Sequence, residues 1–124
     1  MSAPSILIFV YGTLKRGLSN HGCMAGQQFL GEAATAPLYR MVDCGGYPGM
    51  FPVTRDGRSI RGEVWSVNES GRIKLDDLED VAHGLYALEP VTLLPPWDTG
   101  KVFTYCYRRP VTGLRDVGEE WSEA

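Results

Sequence analysis

The sequence contains few of the residues from which metal and cofactor sites are usually built. It has two histidines, His21 and His83, three cysteines, and neither a CxxC nor an HExxH motif. Two histidines are too few for the usual zinc site, so the sequence predicts no metal and no cofactor. A GxSxG elbow, a P-loop and a dinucleotide-binding glycine fingerprint are missing as well. These absences argue against serine-hydrolase and nicotinamide chemistry.

Long apolar segments and an excess of positive charge are also missing. No stretch approaches the ~18 apolar residues of a membrane span, and the opening MSAPSILIFV lacks the basic region and the apolar length of a signal peptide. Twelve Lys and Arg stand against fifteen Asp and Glu, for a net charge of −3, whereas binding to nucleic acid requires a concentrated cationic face. The odd cysteine count indicates a reduced, cytoplasmic protein. We therefore expect no nucleic-acid, membrane or obligate protein partner.

What the chain does contain is a series of short β-branched and apolar runs, within the length of one domain (1–124). These runs predict strands at Ser5–Val10, on both sides of Pro37, and at 60–67, 85–94 and 101–108. The pattern also predicts a short helix from Ser19 or Asn20 to about Gln28, a helix over 71–81 capped by Asn68 or Ser70, an irregular segment at 44–52, and a frayed tail from about 118. Short strands in a single domain tend to close on themselves because closure removes exposed edges. We therefore expect an α+β fold, a small mostly antiparallel or mixed β-barrel with short helices at its rim.

The central helix carries the one group that suggests acid–base chemistry. Its acids are Asp76, Asp77, Glu79 and Asp80. At about 100° per residue the helix has one apolar arc, formed by Leu75, Leu78 and Ala82. Glu79 lies at the edge of this arc, whereas the three aspartates point away from it. Partial desolvation would raise the pKa of Glu79 from about 4.3 toward the range useful to a general base. The spacing leaves open the alternative that Glu79 reaches water at the rim or pairs with an arginine.

Several motifs occur in a fixed order along nearly the whole chain. They are VYGTLKRG followed by Asn20, then GYPG, then GEVWSV, then LDDLE, whose glutamate stands seven residues before Tyr86. Together they resemble the gamma-glutamylcyclotransferase-like superfamily, and most of all its gamma-glutamylamine cyclotransferase (AIG2-like) branch. The resemblance implies a small mixed β-barrel with flanking helices. It also implies release of 5-oxoproline from gamma-glutamyl amides, without a metal or cofactor, by an acyltransferase or lyase.

The same resemblance assigns roles to individual residues. It implies that Glu79 is the general acid/base, and that a small gamma-glutamyl substrate is held by Tyr11, Gly12, Thr13, Leu14 and Tyr86. A loop that leaves a strand can direct unpaired backbone N–H groups at a carboxylate or an oxyanion. In this loop, Gly12 would allow close approach of the ligand, Thr13 would add a hydroxyl, and Leu14 would pack the loop down.

The sequence departs from the family pattern at two positions. Asp80 stands where the family often has glycine, and Leu88 stands where an arginine often follows the tyrosine by two. We expect Asp80 to raise the pKa of Glu79 further by like-charge repulsion, and Leu88 to remove a structural ion pair. Two alternatives stay open: a protein that keeps the pocket but only binds, and an enzyme of another class that uses Glu79 on a different amine.

Overall fold

The computed structural model describes residues 5–123. Over this range, two 3₁₀ turns, His21–Met24 and Val81–His83, accompany one α-helix and seven strands. These are β1 (Ser5–Val10), β2 (Gln28–Ala34), β3 (Tyr39–Asp43), β4 (Pro48–Pro52), β5 (Arg61–Asn68), α1 (Glu69–Leu78), β6 (Tyr86–Pro90) and β7 (Val102–Tyr107). Within these residues no helix has both the length and the apolar character needed to cross a bilayer.

Strand β1 lies inside the sheet because its side chains are apolar on both faces. It pairs antiparallel with β5 and parallel with β7. Ile8 and Phe9 are 0% and 1% exposed and belong to two different core clusters, because successive side chains of a strand point to opposite faces. The sheet is therefore covered on both sides, and the α+β class with a mixed sheet is confirmed.

Strand β7 has three neighbours, and as a result the sheet forks. Strand β6 pairs antiparallel with β7 from 103 to 107 and so occupies one edge of it. Along the other edge, β1 pairs with residues 102–104, and β4 then takes its place, with Met50 opposite Cys106. The end of β1 and the start of β4 diverge at this point.

The sheet is not a closed barrel, so that prediction is wrong. The strand order β2-β5-β1-β7-β4-β3 has β2 and β3 at its ends. Loops cover both end strands: the indole N–H of Trp97 donates to Glu32 O on β2 at 3.1 Å, and the N–H of Val117 donates to Met41 O on β3 at 3.0 Å. At β2 and β3, the edges that closure was expected to remove are thus covered by the chain itself.

Strand β4 lies in the segment 44–52 that was predicted to be irregular. Its glycine is needed there, because a Cβ on Gly49 would lie 2.6 Å from Cγ of Tyr107 on the neighbouring strand. The helix predicted after Asn20 is reduced to the turn His21–Met24. For α1 the predicted cap is confirmed: the Asn68 side chain accepts a hydrogen bond from the N–H of Gly71 at 2.8 Å.

The tail predicted to fray from about residue 118 is packed instead. Trp121 is 8% exposed and belongs to the core that contains Phe9. The Lys15 ammonium donates to Trp121 O at 2.7 Å, and the Glu123 carboxylate accepts from the N–H and the hydroxyl of Ser19. The C-terminal segment is therefore tied to the loop that follows β1.

Candidate active site

A cavity of about 270 Å³ opens at the fork where β1 and β4 diverge. Its wall contains all six residues proposed from the sequence: Tyr11, Gly12, Thr13, Leu14, Glu79 and Tyr86. They come from three separate segments, which are the loop after β1, the end of α1 and the start of β6. The wall also includes residues without a predicted role, among them Asn20, Tyr47, Pro48, Leu85 and Tyr105.

Glu79 is the residue immediately after α1. Its N–H still donates to Leu75 O at 2.8 Å, and Leu75 is fully buried, so the packing of the helix holds Glu79 at the cavity wall. Burial raises the pKa of Glu79 to about 7, with no contribution from a hydrogen bond or a charge of another described residue. A carboxyl group that titrates near neutrality can both accept and donate a proton under physiological conditions.

Like-charge repulsion from Asp80 was expected to raise this pKa further, and that expectation is wrong. The carboxylate of Asp80 lies 2.5 Å from Nδ1 of His83, and burial alone accounts for the shift at Glu79. Asp80 has φ +53°, in the left-handed region, where glycine is the least strained residue. This conformation ends α1 at Leu78, short of the predicted 81, and leaves Ala82 exposed rather than in the apolar arc.

Two further expectations about side chains near the site change. Asp76 is not a freely solvated acid: its carboxylate accepts from the Tyr105 hydroxyl at 2.7 Å and from Arg72 at 2.6 Å. Leu88, which stands where the family often has arginine, packs against the core cluster that contains Tyr86. Leu88 therefore makes apolar contacts at the position where we expected an ion pair to be absent.

Three of the four tyrosines on the cavity wall have committed their hydroxyl protons to acceptors within the protein. Tyr11 donates to Tyr105 O at 2.6 Å, Tyr86 to Pro48 O at 2.5 Å, and Tyr105 to Asp76 at 2.7 Å. Burial is the main cause that raises the pKa of Tyr86 and of Tyr105, followed by Tyr11 for the first and by the hydrogen-bonded Asp76 for the second, so both phenols stay neutral. A phenol has one proton and two lone pairs. Toward the cavity, these groups can only accept hydrogen bonds.

The loop 12–14 has the opposite polarity. Its carbonyl oxygens are engaged by the N–H of Lys15, the N–H of Asn20 and Nδ1 of His21. Among the described residues, the backbone N–H groups of 12, 13 and 14 have no acceptor. This side of the cavity therefore offers hydrogen-bond donors, as an anion requires.

The structure gives a reason for glycine at position 12 in addition to the ligand approach inferred from the sequence. A Cβ at this position would lie 2.5 Å from Cγ of Pro48. The glycine therefore lets the loop pack against the start of β4, which is the opposite wall of the same cavity.

This chain is similar in sequence to a known protein family. The family model described as "Gamma-glutamyl cyclotransferase, AIG2-like" matches residues 8–123. The chain belongs to this gamma-glutamylcyclotransferase family. The resemblance noted in the motifs is thereby confirmed.

Relatives in the gamma-glutamylcyclotransferase family span most of the chain. A Vibrio cholerae protein named as a candidate gamma-glutamylcyclotransferase is 36% identical, over 91% of this chain and 93% of that protein. The family protein YtfP of Escherichia coli K12 is 32% identical, over 87% and 88%. An AIG2-like protein of Mus musculus, GGACT, superimposes with a TM-score of 0.69 at 32% identity, over 82% and 76%.

Several cavity residues of this family member carry no local sequence signal. Tyr105 reaches the cavity through the register of β7 against β1 and β6, which are distant in sequence. Tyr47 lies in a glycine- and proline-rich turn. Asn20 follows the VYGTLKRG motif, but the sequence assigned no role to it. Thr104, Tyr105 and Cys106 are buried in succession, so no alternation along β7 distinguishes Tyr105 as a cavity residue.

Proposed function

We propose that the protein is a gamma-glutamyl amide cyclotransferase that releases 5-oxoproline and a free amine by intramolecular aminolysis. The observation that carries the proposal is Glu79, a partly buried carboxyl on the wall of the cavity whose pKa is raised by burial to about 7. Membership of the gamma-glutamylcyclotransferase family supports the reaction class.

The polarity of the cavity suggests how such a substrate binds. The α-carboxylate would lie against the unpaired N–H groups of the loop 12–14. The α-ammonium, which is a donor, would face Glu79 and the phenol oxygens of Tyr86 and Tyr105. This orientation brings the group that must lose a proton to the carboxylate that accepts it.

The chemistry then needs one proton carrier. The Glu79 carboxylate takes a proton from the α-ammonium, and the free amine attacks the gamma-carbonyl carbon. A carbon–nitrogen bond forms as the five-membered lactam closes, and the original amide bond breaks. The two protons that the attacking nitrogen loses end on the departing amine, with Glu79 as the carrier. Holding both ends of one molecule at attack distance supplies up to about 7–11 kcal/mol in the best intramolecular cases.

A substrate panel tests the proposal. The protein is incubated with gamma-glutamyl derivatives of an amino acid, of the lysine side chain and of a polyamine, and 5-oxoproline is measured by chromatography. We expect release from at least one class, and release slower by about 10²-fold or more when Glu79 is replaced by glutamine. Binding of 5-oxoproline without turnover on any substrate would favour the alternative of a binding protein. If the protein neither bound 5-oxoproline nor turned over any substrate, the proposal would be refuted.

A further inference from the structure

Asn20 holds Thr13 at two points. The backbone N–H of Asn20 donates to Thr13 O at 2.9 Å, and its side-chain Nδ2 donates to Thr13 Oγ1, also at 2.9 Å. Both residues line the cavity, and both are partly open to it. The first bond fixes the backbone of the loop, and the second acts on the hydroxyl alone.

The second bond determines what the hydroxyl can offer to a ligand. A threonine hydroxyl has one proton and two lone pairs. Since Asn20 occupies a lone pair, and the proton has no acceptor among residues 5–123, the proton remains available to the cavity. A threonine without such a partner can instead turn its proton to a nearby backbone carbonyl.

We propose that Asn20 is a positioning residue that keeps the Thr13 hydroxyl as a donor to the α-carboxylate of the substrate. A carboxylate offers about four lone-pair sites on two oxygens. The unpaired N–H groups of 12, 13 and 14 together with the Thr13 hydroxyl supply a matching set of donors. Identifying the anion as the α-carboxylate rests on the proposed function.

The test is a double-mutant cycle on binding. Thr13→Val removes the hydroxyl, and Asn20→Leu removes the amide donor without adding charge. The probe is 5-oxo-L-proline, which keeps the carboxylate, titrated by calorimetry. Each single variant should weaken binding by about tenfold or more, the usual scale for a hydrogen bond to a charged group. The double variant should bind no more weakly than Thr13→Val alone, because Asn20 acts through that hydroxyl.

Two controls separate positioning from a general structural effect. 2-Pyrrolidinone has the lactam ring without the carboxylate, so its affinity should be the same for the wild type and all variants. Asn20→Asp replaces the donor by an acceptor, to which the Thr13 hydroxyl would turn, and should weaken 5-oxo-L-proline binding more than Asn20→Leu does. In turnover, Asn20→Leu should raise KM and leave kcat nearly unchanged.

The outcomes for Asn20 and for the reaction are separable. Additive losses in the cycle, or equal losses for 2-pyrrolidinone, would overturn the role of Asn20 and leave the cyclotransferase proposal standing. If the losses of affinity in the variants were coupled, and the wild type bound 5-oxo-L-proline but turned over no substrate, the positioning role of Asn20 would be supported and the proposed reaction refuted. A wild type that does not bind 5-oxo-L-proline would overturn the positioning role.

Discussion

The Tyr11 hydroxyl lies 2.6 Å from the carbonyl oxygen of Tyr105, at the position along β7 where β1 gives way to β4. The same hydroxyl accepts a hydrogen bond from the N–H of Met50 at 3.1 Å. One side chain thus satisfies two backbone groups at the point where the sheet forks. The ring of Tyr11 lines the cavity, whereas its hydroxyl makes hydrogen bonds to the backbone of β7 and β4.

Tyr11→Phe separates these two roles. It keeps the ring and leaves the carbonyl of Tyr105 and the N–H of Met50 buried without this partner, so we expect a loss of about 1–3 kcal/mol in the free energy of unfolding. Urea denaturation measures the loss. Tyr47→Phe, on the same cavity wall, is the control and should change stability by less than about 0.5 kcal/mol. Equal stability of the two variants would contradict a structural role for the Tyr11 hydroxyl.

Glu79→Gln tests the proton carrier. The variant should keep the fold and bind 5-oxoproline, and should lower kcat by about 10² or more because a positioned acid/base is lost. The control is Asp77→Asn, an exposed acid near the end of α1. Asp76→Asn cannot serve as the control, because Asp76 holds the hydroxyl of Tyr105. Near-native turnover by Glu79→Gln would remove Glu79 from the mechanism.

The pH dependence of activity should follow the Glu79 carboxylate. Its pKa is raised to about 7, so the ionised fraction, and with it kcat/KM, should fall as the pH drops through about 7. The substrate amine becomes easier to deprotonate as the pH rises, which favours the same direction. We expect a neutral-to-alkaline optimum, measured as kcat/KM from about pH 5 to about pH 9. An acid optimum would be incompatible with a carboxylate base.

Stability should depend on pH in the opposite direction. In the unfolded chain, Glu79 titrates near its ordinary value of 4.5, and in the folded protein near 7. Between these values the folded state holds a proton that the unfolded chain has lost. The stabilising contribution of Glu79 is therefore fully present below 4.5 and is lost as the pH rises through about 7. Thermal or urea denaturation at several pH values should show the wild type losing stability relative to Glu79→Gln across this range, and a constant difference would disprove the shift.

The left-handed backbone at Asp80 gives a prediction about glycine. With φ +53°, Asp80→Gly should be more stable than Asp80→Ala by about 1 kcal/mol. Asp77 lies inside α1, so there the order should reverse, with alanine better than glycine by about 1 kcal/mol. Urea denaturation of the four variants measures both differences. If the alanine variant were more stable than the glycine variant at both positions, the left-handed conformation of Asp80 would be contradicted.

The sequence allowed good predictions where a local pattern decides the structure. The apolar run of β1 and the Asn68 cap are local, and so is the place of Glu79 beside Leu75. The strand β4 was missed because it depends on Gly49 fitting against Tyr107, a residue of a distant strand. Asp80 was misjudged because a change of backbone region, invisible in helical spacing, separates it from Glu79. Closure of the sheet was predicted from edge avoidance, but Trp97 and the C-terminal segment cover those edges.

The packing of the C-terminal segment bears on the order of folding. Lys15 and Trp121 are 106 residues apart, and Tyr11 and Tyr105 are 94 apart. Closing loops of this size costs entropy that only later contacts repay. The hairpin of β6 and β7 and the helix α1 can form from nearby residues, whereas the fork that holds the cavity exists only after β1 and β4 have both paired with the distant strand β7. We therefore expect the cavity to be completed late in folding, so that a ligand of the cavity binds the finished fold and no partly folded form.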